Sequence, residues 1–385
     1  MTNPKENKTR KENRENIAKI TDEGRLDDLL DLDIQKPNLS PQKLKKKIEF
    51  TFYKSILKIL VIGGLTVGGL CAAVSGLAYM TCFNPWDIKT LDLDNGNEGK
   101  DDFGFLMQVM DTLFMPEHYV YMPAGEANAK KTGFGNYEIP IVFGSVYDDE
   151  PVHLGKAGDY IELRWGKMHI VDNAQENLAT PFIVGTTFSG AFDEWRQKPE
   201  EVIKELEEMP KSAIISVQCL LKNEKSLDAL YEFADDLKID MGYLCTVGPE
   251  KGSIMPPLGI GGMRNEGHGL GKAFLEKYPG IQLEYDENVS PSEKAKAKAA
   301  YYSASLKVLL DNEEFLDMAL GSFGITKLQV RDMKEIMRDE SEKTADEITV
   351  SGFSESLKRD AMIALLESEE IESVIVKDVK MSIYG

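Results

Sequence analysis

Residues 259–272 read GIGGMRNEGHGLGK, and a glycine-rich run ending in lysine is the first place to look for phosphate chemistry. A P-loop closing on Lys272 needs glycine at 266 and a hydroxyl at 273, where the chain has Glu266 and Ala273, and no preceding strand completes a dinucleotide fingerprint. The run therefore reads as a flexible surface loop. Residues 92–102, DLDNGNEGKDD, resemble a calcium loop only in charge. The glycine of its sixth position is Asn97 and the closing glutamate is Phe103, so a solvated acidic linker is expected. His118, His153, His169 and His268 lie far apart with no thiol or carboxylate at ligand spacing, which signals no zinc site. There is no Gly-x-Ser-x-Gly elbow, and Cys71, Cys82, Cys219 and Cys245 form no Cys-x-x-Cys pair. The residues point to no cofactor, no metal and no catalytic site, and to a protein that acts by binding.

The elements that would position such a function are organised around one segment. Residues 59–83 run 25 positions without a charge, the length a tilted helix needs to cross a hydrocarbon core of about 30 Å. KLKKK at 43–47, with Lys54 and Lys58, stands before it, and Asp87, Asp92 and Asp94 stand after it. By the positive-inside rule the arm at residues 1–55 is cytoplasmic, residues 56–83 form a single transmembrane helix, and the remainder is extracytoplasmic. A cleaved signal peptide is disfavoured because its apolar region would be shorter, about 7–15 residues, and nearer the start. The 385-residue chain carries a net charge of −20, which speaks against direct binding of nucleic acid by its bulk. Residues 1–58 hold 14 basic against 10 acidic side chains, so the acidity belongs to the far side.

Two features of this anchor invite partners. Gly64, Gly68, Ala72 and Gly76 recur every fourth residue and form a stripe where another helix can approach closely, as in a homodimer or with a membrane partner; glycine is also common in membrane helices generally. In the arm, RLDDLLDLDI at 25–34 places Leu26, Leu29, Leu30 and Ile34 on one helical face opposite several aspartates. That segment is too short to fold alone, so it is expected to fold on a partner.

Beyond the membrane, residues 84–185 form a linker and a β-rich region, with a short amphipathic helix at 103–115 and strand-like runs such as YEIPIVFGSV and YIELRWGKMHIV. Residues 199–209 read as a helix. AIISVQCLL (213–221), SLDALYEFADDL (226–237) and IDMGYLCTV (239–247) make a strand-helix-strand unit, the last strand alternating Ile239, Met241, Tyr243, Cys245 and Val247. EITVSGF (347–353), a helix at 354–368 capped by Ser354, and a strand at 371–384 repeat it. The fold class expected is α+β: a split βαβ, ferredoxin-like α/β sandwich over 186–385, with a helical insertion at 249–345. Cys219 and Cys245 both sit on apolar strand faces, where a disulfide is one reading, but strands separated in that way favour buried free thiols.

The run KKKIEFTFYKSILKILVIGG (45–64) resembles the N-terminal module of the bacterial sigma factor regulator family, membrane anti-sigma factors of the anti-sigma-M type. Residues 186–233 and 348–379 resemble that family's C-terminal domain. The resemblance implies that the cytoplasmic arm, alone or with a membrane co-regulator, holds an extracytoplasmic-function sigma factor at the membrane while the outer domain responds to an envelope signal. Leu26, Leu29, Leu30 and Ile34 would be the grip. The arm has no Cys or His and so lacks a zinc-bearing anti-sigma fold. The alternative is a non-catalytic extracytoplasmic binding module of an envelope or transport complex, and an envelope hydrolase is disfavoured for want of a nucleophile.

Overall fold

The computed structural model describes residues 40–81, 102–114, 118–121, 130–133, 135–140, 142–145, 160–171, 196–248, 256–261, 270–282, 289–322 and 324–381. The arm segment bearing Leu26, Leu29, Leu30 and Ile34, the acidic turn at 92–102 and the glycine-rich residues 262–269 lie outside the described residues.

Helix α1 (Pro41–Thr81) is one unbroken element of 41 residues, about 60 Å at 1.5 Å per residue. It starts well before the uncharged run, because Ser40 and Pro41 form a good N-cap and first-turn pair, and the lysines that follow are good helix formers. The Lys43 N–H donates to the Ser40 carbonyl at 2.9 Å. Its apolar side chains are exposed all round: Leu65 is 72% exposed, Leu60 66%, Leu70 62% and Leu77 63%. A water-soluble domain does not display an apolar surface of that size. The span 45–77 is long and apolar enough to cross a membrane, consistent with a single-pass membrane protein.

The body that follows is a mixed α+β structure with antiparallel sheets. Helix α2 (Asp102–Phe114) is buried at every position except Gln108, so the amphipathic helix expected here is enclosed on all sides. Strands β1 (His118–Tyr121) and β4 (Val142–Ser145) pair with each other. β2 (Lys130–Gly133), β3 (Asn136–Pro140), β5 (Tyr160–Arg164) and β6 (Lys167–Val171) form a four-stranded meander. The β5–β6 connection is two residues, Trp165 and Gly166, with φ of 50° and 73°, the left-handed pair of a tight hairpin turn.

The larger sheet comes from β7 (Ile214–Ser226), β8 (Leu244–Val247), β9 (Leu258–Ile260), β10 (Thr349–Lys358) and β11 (Ile371–Lys380), in the order β11-β7-β10-β8-β9 with every neighbour antiparallel. α4 (Leu227–Leu237) links β7 to β8, and α9 (Arg359–Leu366) links β10 to β11. β10 therefore sits between the strands of the first unit and β7 between those of the second. Both linking helices pack on β7 and β10, α3 (Pro199–Glu207) packs on β11 and α9, and α6 (Pro291–Asp311) packs on α4. α5 (Lys272–Lys277), α7 (Glu313–Ser322) and α8 (Lys327–Ser341) complete the segment between the units. Capping boxes at Ser290–Glu293 and Thr326–Gln329 start α6 and α8, a signature visible in sequence.

Three expectations change here. The helix expected to begin at Ser354 begins at Arg359, and Ser354 lies within β10, where its N–H donates to the Tyr243 carbonyl at 2.8 Å. Pairing with β7 as far as Lys358↔Ile214 holds those residues extended, so long-range hydrogen bonds override local helix propensity. The strand expected at 239–247 is only Leu244–Val247, because Lys238 adopts a left-handed C-cap (φ 55°) and the next residues form a loop. Tyr243 and Cys245 form a buried pair apart from the main core, which Leu244 joins instead. Finally, part of the expected glycine-rich loop is strand β9, where Gly259 is required by close approach. A methyl group there would collide with the Leu244 carbonyl oxygen and come within 2.5 Å of the Tyr243 ring.

Candidate functional site

Of the partner-binding residues expected from sequence, the described ones are on α1. Gly64, Gly68, Ala72 and Gly76 recur at one-turn spacing; a methyl group built on Gly64, Gly68 or Gly76 meets no atom within 4 Å, and Ala72 is exposed. Cys71, between them in sequence, is an exposed free thiol. What α1 offers is a long apolar cylinder with one side of low relief, which a membrane or a second helix can cover.

In the body, the chemistry-bearing groups gather where sequence patterning gave no warning, around the loop joining α4 to β8. Lys298, near the start of α6, is 4% exposed, and its ammonium donates to the Gly261 carbonyl at 3.5 Å. Burial pushes that ammonium down to about 8, with the nearby Asp240 carboxylate pulling the other way. Glu355, on β10, accepts hydrogen bonds from the Ser356 N–H at 2.8 Å and the Gly242 N–H at 3.1 Å. Burial outweighs these and, with Asp240 adding repulsion, pushes its carboxyl up to about 7. Asp240, which acts on both groups, is exposed. The β8–β9 edge also satisfies the end of α2: the Tyr243 hydroxyl donates to the Leu113 carbonyl at 2.8 Å and the Gly261 N–H to the Thr112 carbonyl at 2.9 Å. Thr246 Oγ1 lies 2.7 Å from the Tyr302 hydroxyl and donates to the Leu258 carbonyl at 3.0 Å.

The amine and the carboxyl are thus brought near neutrality at two separate places, each within the electrostatic reach of Asp240. Their sequence signal was weak: Lys298 sits in an Ala- and Lys-rich helix that reads as solvated, and Glu355 alternates with serines on what looked like a helix start. The thiols do less. Cys219 and Cys245 are buried and free, with β10 between their strands: Phe353 stands opposite Cys219 and Gly352 opposite Cys245. Burial raises the Cys219 thiol strongly and Cys245 to about 12, so both stay protonated and poorly nucleophilic at neutral pH. Among the described residues, no group of three or more His, Cys, Asp or Glu side chains is placed to hold a metal ion.

Glu355 sets a pH dependence. Its carboxyl is raised from 4.5 to about 7 in the folded chain, so the folded state holds the proton more tightly than the unfolded. That contribution to stability is fully present below pH 4.5 and is lost as pH rises through 7. Glu355→Gln, uncharged throughout and, like the protonated carboxyl, left with one carbonyl oxygen to accept an N–H, is expected to lie close to wild type at pH 4 and to exceed it by about 1–3 kcal/mol at pH 8. Urea midpoints at the two pH values measure this; a constant difference between them would mean that burial of Glu355 is not felt.

Comparison with known proteins adds no kinship to this geometry: no family model, no curated protein and no solved structure matches the chain.

Proposed function

We propose that the chain is a single-pass membrane regulator: an anti-sigma factor whose cytoplasmic arm holds an extracytoplasmic-function sigma factor at the membrane and whose extracytoplasmic body responds to an envelope signal. It acts by binding, without catalysis. The observation that carries the reading is α1, an exposed apolar helix with basic residues before its uncharged run and acidic ones after it, a charge asymmetry that supports an inward arm and an outward body. The order β11-β7-β10-β8, with β9 added at the edge, supports reading the body as the split βαβ, ferredoxin-like sandwich expected from its two strand-helix-strand units.

In the resting state the apolar face of Leu26, Leu29, Leu30 and Ile34 is the grip on the sigma factor. Full-length protein carrying an affinity tag, purified from membranes of its own host, is expected to co-purify one sigma factor. Deleting the chain is expected to raise transcription of the genes that factor serves. A purification that recovers no sigma factor, together with unchanged transcription, would sink the reading.

A second reading rests on the open glycine stripe: a non-catalytic binding module of an envelope or transport complex, joined through its membrane helix, or a homodimer. Photocrosslinking from Gly68 in membranes separates the two by the size and identity of the product. A non-regulatory envelope protein captured there would favour the module.

A further inference from the structure

A hydrocarbon core of about 30 Å takes about 20 helical residues, and α1 runs about 35 Å from Ile59 to Thr81 alone. With α1 as the anchor, the turns just before Ile59 therefore pass through the headgroup layer. Those turns are divided lengthwise. At 100° per residue, Lys47, Lys54 and Lys58 fall within about 40° of one another, and Phe52 and Ile56 lie on the other side. All five are exposed. Thr51 and Ser55 stand between the two sides, and their hydroxyls donate to the Lys47 and Thr51 carbonyls at 2.8 and 2.9 Å, so neither needs water.

The charge of the lysine stripe is unanswered along the helix. Residues 43–58 hold six lysines against one glutamate, a net charge of +5, and Glu49 falls at least about 140° from the stripe. Lys58 adjoins the uncharged run and Lys54 stands one turn earlier, so a headgroup phosphate lies within reach of both long side chains. We infer that Lys54 and Lys58 form a binding site for the headgroup of an anionic phospholipid. The two ammonium groups bracket its phosphate, Lys47 adds charge from two turns further out, and Phe52 and Ile56 meet the acyl boundary. A zwitterionic lipid brings the same phosphate with its own cation attached, so the two lysines favour the lipid without one.

The consequence is an anchor that selects its lipids. Each lysine held near an anionic surface is worth about fivefold in association, so the base of α1 gathers anionic lipid from a mixed leaflet. The inference rests on α1 crossing a membrane, and on nothing proposed about a sigma factor.

The test uses the full chain in vesicles of phosphatidylcholine and phosphatidylglycerol, with Cys71 and Cys82 replaced by alanine. A fluorophore goes on Leu57→Cys, a position 62% exposed between the two lysines in sequence. Trace phosphatidylglycerol carrying a nitroxide near its headgroup is expected to associate at the label about fivefold more tightly than nitroxide phosphatidylcholine, as measured by quenching. Lys54→Gln with Lys58→Gln should bring that ratio to about one, and Lys54→Arg with Lys58→Arg should keep it. Lys45→Gln with Lys46→Gln, off the stripe, should leave it unchanged, and raising salt to about 1 M should abolish it. Equal quenching by the two lipids in wild type, or an equal loss in both glutamine variants, would overturn the inference. So would displacement of the anionic lipid by inorganic phosphate beyond that by chloride of the same ionic strength, which would make the ligand a free anion. A label that neither lipid quenches would take α1 out of the bilayer and remove the anchor itself, so the two failures are told apart.

Discussion

Leu70→Arg with Val74→Arg is expected to remove the protein from the membrane fraction. The two residues sit one turn apart near the middle of the uncharged run at 59–83, both exposed on α1. A charged side chain at the centre of a spanning helix costs about 2.5–3.5 kcal/mol on insertion scales, so the pair costs about 5–7 kcal/mol. Four leucines, two isoleucines and three valines supply most of the drive to insert across this run, each worth only about 0.3–0.6 kcal/mol and together about 3–5 kcal/mol, and two arginines outweigh that. Wild-type protein expressed in a bacterial host should resist alkaline carbonate extraction, and the double variant should be released or degraded. The matched Leu70→Ala, Val74→Ala chain should stay with the membrane. If the arginine variant remains as resistant as wild type, residues 59–83 are not the anchor.

The second large effect belongs to the sheet. Phe353 is fully buried in β10, standing opposite Cys219 on β7 and Leu244 on β8, at the point where the two strand-helix-strand units interleave. Its ring is part of the main hydrophobic core. Phe353→Ala leaves a cavity that neither flanking strand can close without shifting its register, and is expected to cost about 3–5 kcal/mol. Leu328, 59% exposed at the start of α8, supplies the contrast: Leu328→Ala should change stability by no more than about 0.5 kcal/mol. Urea unfolding of the full chain in detergent, followed by tryptophan fluorescence, measures both. Equal midpoints for the two variants would mean that the sheet is not the cooperative core.

Much of this architecture was legible because its signals are local. A helix that must satisfy its own backbone in lipid announces itself by 25 residues without a charge, and no tertiary contact is needed to read it. Ser226 before α4 and Ser290 and Thr326 with their partners three residues on mark helix starts through side chains that satisfy the first free N–H groups. The alternation of Ile215, Val217, Cys219 and Leu221 likewise shows the buried side of β7, though Ser216 and Gln218 on the other side are buried as well.

Other features had no local signal. Ser354 to Lys358 would suit a helix start, and only pairing with β7 makes them strand. β9 is three residues beside glycine-rich sequence, and it becomes a strand through the neighbouring edge of β8. Lys298 looks like one more lysine on a solvated helix; the packing of α6 against α4 and β9 buries it and moves its ammonium to about 8. Glu355 is half-buried on β10, where lost hydration pushes its carboxyl up to about 7.

The sequence by itself thus determined the apolar span, the charge asymmetry across it, and most helix starts, since each depends on composition or on neighbours within one turn. Tertiary structure alone decided where β10 ends, that β9 is a strand, which side of β8 faces the core, and which amine and which carboxyl lose their water. Those outcomes depend on groups tens to hundreds of residues apart meeting, and on the desolvation that follows, neither of which a local pattern encodes.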